Sequence, residues 1–346
     1  MSSGGPRMTL GVSLWDGQVR GTLPNTATLM APAPPRRKLA TPRELFVDAY
    51  ARFAATCRVF DEPGLAVIAV DESSGRPAGI VKLCARVKRP VGAIVGRHDR
   101  CDLYLQGREE LSLRQLAVVL EPVTTWERGA TNVRYRILDL RTQNAMSDED
   151  GNELRGLVAE GPAIVRVAGY CLFALPLGDP TDWPDNADDA WAMLPARVYL
   201  DELDRCPRGS LPRMPPPRGS DRETFITRTG GPRDTMERLA QGDGAGVLEL
   251  STPQRQLALT IGENALKDGV LLGRYGRCDA REAATEDESL SRVHALLIRT
   301  GERLLLVDTA SSNGTFEKGQ LTRLVVVERD TELRLGKRTF LRWRWL

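Results

Sequence analysis

Three short clusters near the C-terminus combine a guanidinium, hydroxyls and an amide at positions where the chain turns. They are Gly273-Arg274, Ser291-Arg292-Val293-His294, and 308–315 with the sequence DTASSNGT. Turns at one end of a β-sandwich converge on one surface. The set supplies hydrogen-bond donors and a fixed positive charge, with no obvious general base or activated nucleophile. This chemistry suits a dianionic phosphate better than a reaction, although each cluster alone is typical of an ordinary turn.

Two β-rich regions must position these residues. Residues 246–346 contain eight short apolar runs, from GVLEL to FLRWRWL, and residues 64–177 contain a similar series that includes LAVIAV, GAIVG and LAVVL. Short runs separated by turn residues predict β-sandwiches. Between them, the Pro, Gly and charge density of 178–245 predicts a flexible linker, with a short helix over DWPDNADDAWAML.

The N-terminal 63 residues divide into two parts. Residues 1–40 are polar and Pro-rich, which predicts a disordered leader. Residues 41–63 have helical apolar spacing, and Thr41 followed by Pro42 is a good helix start.

The two β-rich regions share an internal repeat. GRHDRCD at 96–102 returns as GRYGRCD at 273–279, LSLRQLAVVL returns as LSRVHALLI, and DLRTQNAM returns as DTASSNGT. Three blocks in the same order with close spacing indicate two copies of one domain.

The combined pattern GR, SRxHA, SxNGT and LxLG over 246–346 resembles the forkhead-associated (FHA) domain of phosphothreonine readers. The first copy resembles a degenerate FHA-like domain. The resulting fold class is all-β: two FHA-type β-sandwiches joined by a Pro/Gly-rich linker, with a short N-terminal helix.

The resemblance implies five phosphopeptide contacts. Arg274 would pair with the phosphate, and Ser291 would donate its hydroxyl to a phosphate oxygen. Ser312 would donate through its side chain or backbone, and Asn313 would bond the peptide main chain. Arg292 would add a second positive charge.

The resemblance also implies four residues that support this site. His294 would brace the loop from inside, and Gly314 would permit a tight turn above a packed Thr315. Gly273 would precede the phosphate-binding arginine at the strand end.

The first copy retains part of the pattern, so a second candidate site comprises Arg97, Ser112, Gln143 and Asn144. Its departures are glutamine for histidine at 115, glutamine for serine at 143, alanine for glycine at 145 and methionine for threonine at 146. Losing the glycine is expected to strain the turn, and losing the histidine is expected to remove the inner brace. The alternative is a domain used for packing or for unphosphorylated partners.

Composition argues against several function classes. A net charge of +2 produces no large positive electrostatic potential that would attract nucleic acid or an anionic membrane, so neither is an expected partner. Six scattered cysteines and two histidines indicate no metal site, no cofactor and no disulfide framework, which favours the cytoplasm.

The function predicted is a non-catalytic phosphothreonine-peptide-binding adaptor downstream of a serine/threonine kinase. Its partner would be a phosphothreonine-containing protein or its own phosphorylated linker. The candidate phosphosites in the two flexible segments are Thr26, Thr28, Thr224, Thr227, Thr229 and Thr235. The alternative is a scaffold component that docks through its sandwiches without phosphate. An enzyme is disfavoured, since neither 1–64 nor 178–245 offers a catalytic cluster. The acidic segment 281–289 is either a solvated loop or a rim that disfavours acidic ligands.

Overall fold

The computed structural model describes residues 40–60, 62–106, 108–123, 133–179, 183–201, 223–230, 239–240, 242–279, 287–329 and 331–346. The leader predicted over 1–40 therefore lies outside the described residues except for Ala40. Much of the linker predicted over 178–245 and most of the acidic segment also lie outside them. Residues Leu39–Leu346 group into one unit.

Helix α1 covers Pro42–Arg58 and begins with a reciprocal N-terminal cap. The Glu44 N–H donates to the Thr41 hydroxyl at 3.2 Å, and the Thr41 N–H donates to the Glu44 carboxylate at 2.7 Å. The buried face of the helix packs Phe46 against Phe173, with ring centroids 5.6 Å apart. The predicted N-terminal helix is confirmed.

Eleven strands form the first sandwich. They are β1 (Gly64–Asp71), β2 (Arg76–Cys84), β3 (Val91–Gly96), β4 (Leu103–Tyr104), β5 (Leu116–Leu120), β6 (Tyr135–Asp139), β7 (Met146–Ser147), β8 (Glu153–Leu154), β9 (Gly156–Ala159), β10 (Ala163–Val167) and β11 (Tyr170–Leu177). One sheet has the order β2-β1-β11-β10-β7-β8, and the facing sheet contains β9-β6-β5-β3-β4.

The range predicted to be a linker contributes three elements. Helix α2 (Ala187–Met193) lies within the run predicted to be a short helix, and strands β12 (Ala196–Asp201) and β13 (Glu223–Thr229) follow it. Strand β13 pairs antiparallel with β9 and parallel with β12, so both extend the first sandwich. Fully buried Ile226 anchors β13 to the core. The sequence did not predict these strands because their short runs lie beside Pro- and Gly-rich residues.

The second sandwich repeats the strand order of the first, except that β4 has no counterpart. Its elements are β14 (Gly244–Ser251), β15 (Gln256–Gly262), α3 (Glu263–Asp268), β16 (Val270–Leu272), β17 (Ala295–Thr300), β18 (Arg303–Asp308), β19 (Thr315–Glu317), β20 (Gln320–Thr322), β21 (Leu324–Val326), β22 (Glu332–Leu335) and β23 (Thr339–Trp345). The sheet orders are β15-β14-β23-β22-β19-β20 and β16-β17-β18-β21. The predicted fold class, two β-sandwiches of one type, is confirmed.

The two sandwiches share a hydrophobic layer between β3-β5-β6 and β16-β17-β18. Ala117 and Leu138 of the first sandwich belong to the same buried cluster as Leu296 and Leu305 of the second. All five residues of β5 are buried, alternately in the sandwich's own core and in this shared layer. A strand that is buried on both faces needs no polar alternation, which explains the continuous apolar run LAVVL.

Candidate functional site

The predicted binding residues meet at one end of the second sandwich, here called the second tip and formed by residues 273–275, 287–292 and 310–314. The Ser312 N–H donates to the Ser291 hydroxyl at 2.8 Å. Arg274 Nε donates to the Leu290 carbonyl at 2.8 Å, and Asn313 Nδ2 donates to the Ser289 carbonyl at 2.7 Å. These hydrogen bonds link three turns whose outermost residues, Arg274 and Asn313, are almost forty positions apart in the sequence.

The second tip presents donors outward. Arg274, Arg292, Ser312 and Asn313 are exposed. Arg274 is held through Nε, and its terminal N–H groups bond no protein group in the part of the chain that the structure describes. Ser291 is 7% exposed, and its hydroxyl accepts the Ser312 N–H while keeping its own proton for donation. A planar fork beside a hydroxyl matches a tetrahedral anion.

His294 braces the second tip from inside. It is fully buried, its Nδ1 accepts the Ser291 N–H at 3.0 Å, and its Nε2 lies 3.2 Å from the Gly314 carbonyl. Since Nδ1 accepts, Nε2 carries the proton and donates to Gly314. Burial lowers the pKa of His294, and the Asp308 carboxylate opposes this only in part. The imidazole is therefore a neutral structural link.

Asp308 organises the loop that carries Ser312 and Asn313. Its carboxylate accepts the Ser311 N–H at 2.7 Å, the Ser311 hydroxyl at 2.6 Å and the Thr315 hydroxyl at 2.7 Å. The buried Thr315, predicted only to pack, is therefore also a donor. The Ser311 hydroxyl in turn accepts the Gly314 N–H at 3.0 Å. The repeat of the aspartate in both copies is the sequence signal that could have identified this role.

Two glycines are required by the local geometry. Gly314 has φ +78, a conformation that side-chain-bearing residues rarely adopt. At Gly273 an added Cβ would lie 2.5 Å from the Arg292 carbonyl oxygen, inside van der Waals contact. Gly96 of the first copy is equally close to the Leu113 carbonyl oxygen, at 2.4 Å. Both sandwiches therefore require a residue without a Cβ atom at this strand end.

The Asn313 contact rests on a further support from the segment before Ser291. Asp287 accepts the Ser289 N–H at 2.9 Å and the Thr339 hydroxyl at 2.8 Å, and it is buried. Burial by itself would raise the pKa of Asp287, but these hydrogen bonds hold it below its ordinary value. Asp287 therefore belongs to the frame of the tip, while residues 281–286 of the acidic segment lie outside the described residues.

The first sandwich reproduces the geometry at its own end, here called the first tip and formed by residues 96–98, 110–115 and 141–145. Arg97 Nε donates to the Leu111 carbonyl at 2.6 Å, and Asn144 Nδ2 donates to the Glu110 carbonyl at 2.8 Å. Both side chains are exposed, as is Gln143, while Ser112 is half-buried.

The two expected defects of the first tip are absent. Gln115 Oε1 accepts the Ser112 N–H at 2.9 Å, and its Nε2 donates to the Asn144 carbonyl at 2.8 Å, so glutamine replaces the histidine brace. Among the described residues, Ala145 is not one of those with positive φ, so the turn follows a path that alanine accepts without strain. Both expectations were wrong, because Gln115 supplies the acceptor and donor of a histidine and the backbone at Ala145 does not adopt a positive φ.

The described residues contain no cluster of His, Cys, Asp and Glu that could hold a metal ion. Of the helices that the structure describes, none is long and apolar enough to span a membrane.

Comparisons with known proteins found solved FHA domains similar to part of this chain and a family model that matches residues 270–336. FHA-1 of Mycobacterium tuberculosis Rv1747 is 21% identical over 29% of this chain and 97% of its own, with a TM-score of 0.24. The FHA domain of Chlamydia trachomatis CT664 is 17% identical over 30% and 98%, with a TM-score of 0.26. Mycobacterium tuberculosis EmbR, solved with a low-affinity phosphopeptide, is 20% identical over 29% and 25%, with a TM-score of 0.23. No curated protein sequence matches the chain. Residues 270–336 match the family model of the FHA domain, so the second sandwich contains an FHA domain, as the sequence resemblance predicted.

Proposed function

We propose that the second tip binds a phosphothreonine-containing segment of a partner protein, and that the chain is a non-catalytic adaptor downstream of a serine/threonine kinase. The observation that supports this best is the exposed guanidinium of Arg274, held by the Leu290 carbonyl at 2.8 Å beside the Ser291–Ser312 pair. The FHA-domain match over 270–336 includes all these residues.

The donors of the second tip suit a phosphorylated peptide. Arg274 would form two parallel charge-assisted bonds with phosphate oxygens, and the Ser291 hydroxyl would form a third. Asn313 lies at the rim, where its amide would bond the peptide main chain. Charge-assisted bonds contribute roughly 1.5–3 kcal/mol each, which after desolvation and ordering costs is consistent with dissociation constants of about 1 μM.

Binding of the full chain to an oriented phosphothreonine peptide library, with the matching threonine library as reference, tests this proposal. Arg274→Ala is expected to weaken phosphopeptide binding by about tenfold or more. Arg342→Ala is the matched control, because Arg342 is an exposed arginine of the same sandwich that pairs with Glu332, outside the second tip. Equal binding of both libraries, or an Arg274→Ala variant that binds as the wild type does, would contradict the proposal.

The first tip is a second candidate phosphate site. The hydrogen bonds of Arg97 and Asn144 with carbonyls match those of Arg274 and Asn313, and this likeness favours phosphate binding at the first tip.

The scaffold alternative makes the opposite prediction at the second tip: a partner that docks without phosphate would stay bound to the Arg274→Ala variant.

A partner segment suits the site better than the chain's own strand β13. Thr227 of β13 is 3% exposed, so a kinase cannot reach its hydroxyl while the strand is paired. Thr224 and Thr229 are half-buried on the same strand. The other candidate threonines, Thr26, Thr28 and Thr235, lie outside the described residues.

A further inference from the structure

Two arginines of the first sandwich bond three consecutive carbonyls of the second tip. Arg114 donates to the Ala310 carbonyl through Nε at 3.2 Å and through Nη2 at 2.7 Å. Arg100 Nη1 donates to the Ser311 carbonyl at 3.0 Å and also to the Ser312 carbonyl. The contacts join residues about two hundred positions apart.

These bonds act on the loop that carries the phosphate-binding donors. Ala310 has φ +58, which a residue with a Cβ adopts at a cost unless neighbouring contacts hold it there. Carbonyl oxygens that are bonded to guanidinium groups cannot turn toward an anionic ligand and repel it. The Ser312 N–H, on the same stretch of backbone, meanwhile donates to Ser291.

The same arginines add positive charge where an anion would bind. Arg114 is 6% exposed, and its charge acts on Arg292 and Asp308. Several other buried arginine side chains among the described residues lie against carboxylates, such as Arg141 with Asp279. Within the described part of the chain, Arg100 and Arg114 form no salt bridge, although the Asp308 carboxylate lies close enough to interact with Arg114, and the remaining positive charge of the pair favours an anionic ligand.

Among the described residues, the first sandwich bonds the second tip through more arginine contacts than the second sandwich makes with the first tip. The residue of the second copy that corresponds to Arg114 is Val293, which cannot return the contact. The counterpart of Arg100 is Arg277, whose Nη1 donates to the single carbonyl of Arg141 at 2.8 Å.

From these contacts, we propose that Arg100 and Arg114 are positioning residues for phosphopeptide binding at the second tip, so that the binding unit is the pair of sandwiches and not the FHA domain alone. This inference rests on the proposed function. It assigns to the first sandwich a role in the affinity of the second.

Two variants of the full chain test it: Arg100→Gln, which removes an exposed cation, and Arg114→Met, which keeps the buried aliphatic stem. Affinity for the phosphothreonine library is expected to fall about fivefold for the first and about tenfold for the second. The amide signals of Ser312 and Asn313 are expected to shift in the ligand-free protein, and Arg100→Lys is expected to recover part of the affinity because lysine can bond one of the carbonyls.

Arg303→Gln is the matched control, because Arg303 Nη1 donates to the Lys88 carbonyl across the same pair of sandwiches but away from the tip. It is expected to bind as the wild type does. This result would distinguish an effect on the loop of the second tip from a general weakening of the contact between the sandwiches. Wild-type affinity in both folded variants would overturn this inference alone. A wild-type chain that does not distinguish phosphothreonine from threonine peptides would overturn the proposed function as well.

Discussion

Gln115 and His294 occupy corresponding positions in the two tips and form corresponding hydrogen bonds. Each accepts the N–H of the serine three residues before it, at 2.9 Å from Ser112 and 3.0 Å from Ser291. Each also donates to a carbonyl of the loop that follows the second strand after it (β6 or β18), at Asn144 or, one position further along the repeat, at Gly314. An amide and a neutral imidazole both present one acceptor and one donor at about this separation, so either can tie the two loops together.

From this relationship we expect His294→Gln to be tolerated and His294→Ala to be costly. The alanine variant leaves the Ser291 N–H buried without its partner, which costs about 1–3 kcal/mol, whereas the Gly314 carbonyl still accepts the Gly336 N–H at 2.9 Å. The glutamine variant should lose less than about 1 kcal/mol and keep its phosphopeptide affinity. Urea unfolding of the three proteins measures the difference, and equal losses in both variants would contradict the bracing role.

The stability of the protein should fall in mild acid because of His294. Burial lowers its pKa below the ordinary value of 6.5. Below about pH 6.5 the unfolded chain therefore binds a proton that the folded protein does not, so the free energy of unfolding decreases as the pH drops. His294→Gln removes this contribution and leaves that of His98, whose pKa burial also lowers. Urea unfolding near pH 7.5 and pH 5.5 should show a smaller pH effect in the variant than in the wild type.

Gly273→Ala should damage the second tip by a steric effect. The new Cβ would lie 2.5 Å from the Arg292 carbonyl oxygen, so the backbone beside Ser291 must shift. We expect a loss of about 2 kcal/mol in the free energy of unfolding, together with weaker phosphopeptide binding. Gly319→Ala is the matched control, since Gly319 has φ +82 but an added Cβ meets nothing within 4 Å. It should cost about 1 kcal/mol and leave binding unchanged, and weakened binding in this control would contradict the steric explanation.

Local spacing was enough to predict the tips but not the contacts between the sandwiches. Arg274, Ser291 and Asn313 each lie next to a strand end that the apolar runs mark, so their convergence follows from the fold class. Arg100 and Arg114 have no such signal, because their acceptors are backbone carbonyls that any sequence carries. The run LAVVL did hold a signal for a strand buried on both faces, since a sandwich strand with one solvated face would alternate.

The ion pair between Arg141 and Asp279 should contribute to the stability of the paired sandwiches. Arg141 Nη2 donates to both carboxylate oxygens at 2.7 Å, and the two side chains are 7% and 2% exposed. Removing the cation by Arg141→Met should cost about 3 kcal/mol in urea unfolding. Arg134→Met, which removes the ion pairs of the exposed Arg134 side chain with the partly buried Glu121 and the exposed Glu160, should cost less than about 1 kcal/mol. Similar losses in the two variants would show that burial does not strengthen the first pair.

A peptide with two phosphothreonines should bind more tightly than either singly phosphorylated form. The two tips adjoin where Arg114 of the first tip donates to the Ala310 carbonyl of the second, so we expect one peptide to be able to span their arginines Arg97 and Arg274. Once one phosphate is bound, the second binds at a high effective concentration, and the gain can reach about a hundredfold when the spacing matches.

Arg97→Ala separates this gain from a general charge effect. It should reduce the affinity for the doubly phosphorylated peptide to that for the singly phosphorylated one, and it should leave the latter unchanged. A series of peptides with increasing spacing between the two phosphothreonines, measured against wild type and Arg97→Ala, gives the result. If spacing has no influence, or if Arg97→Ala weakens both kinds of peptide equally, the first tip is not a second phosphate site and its likeness to the second tip is structural only.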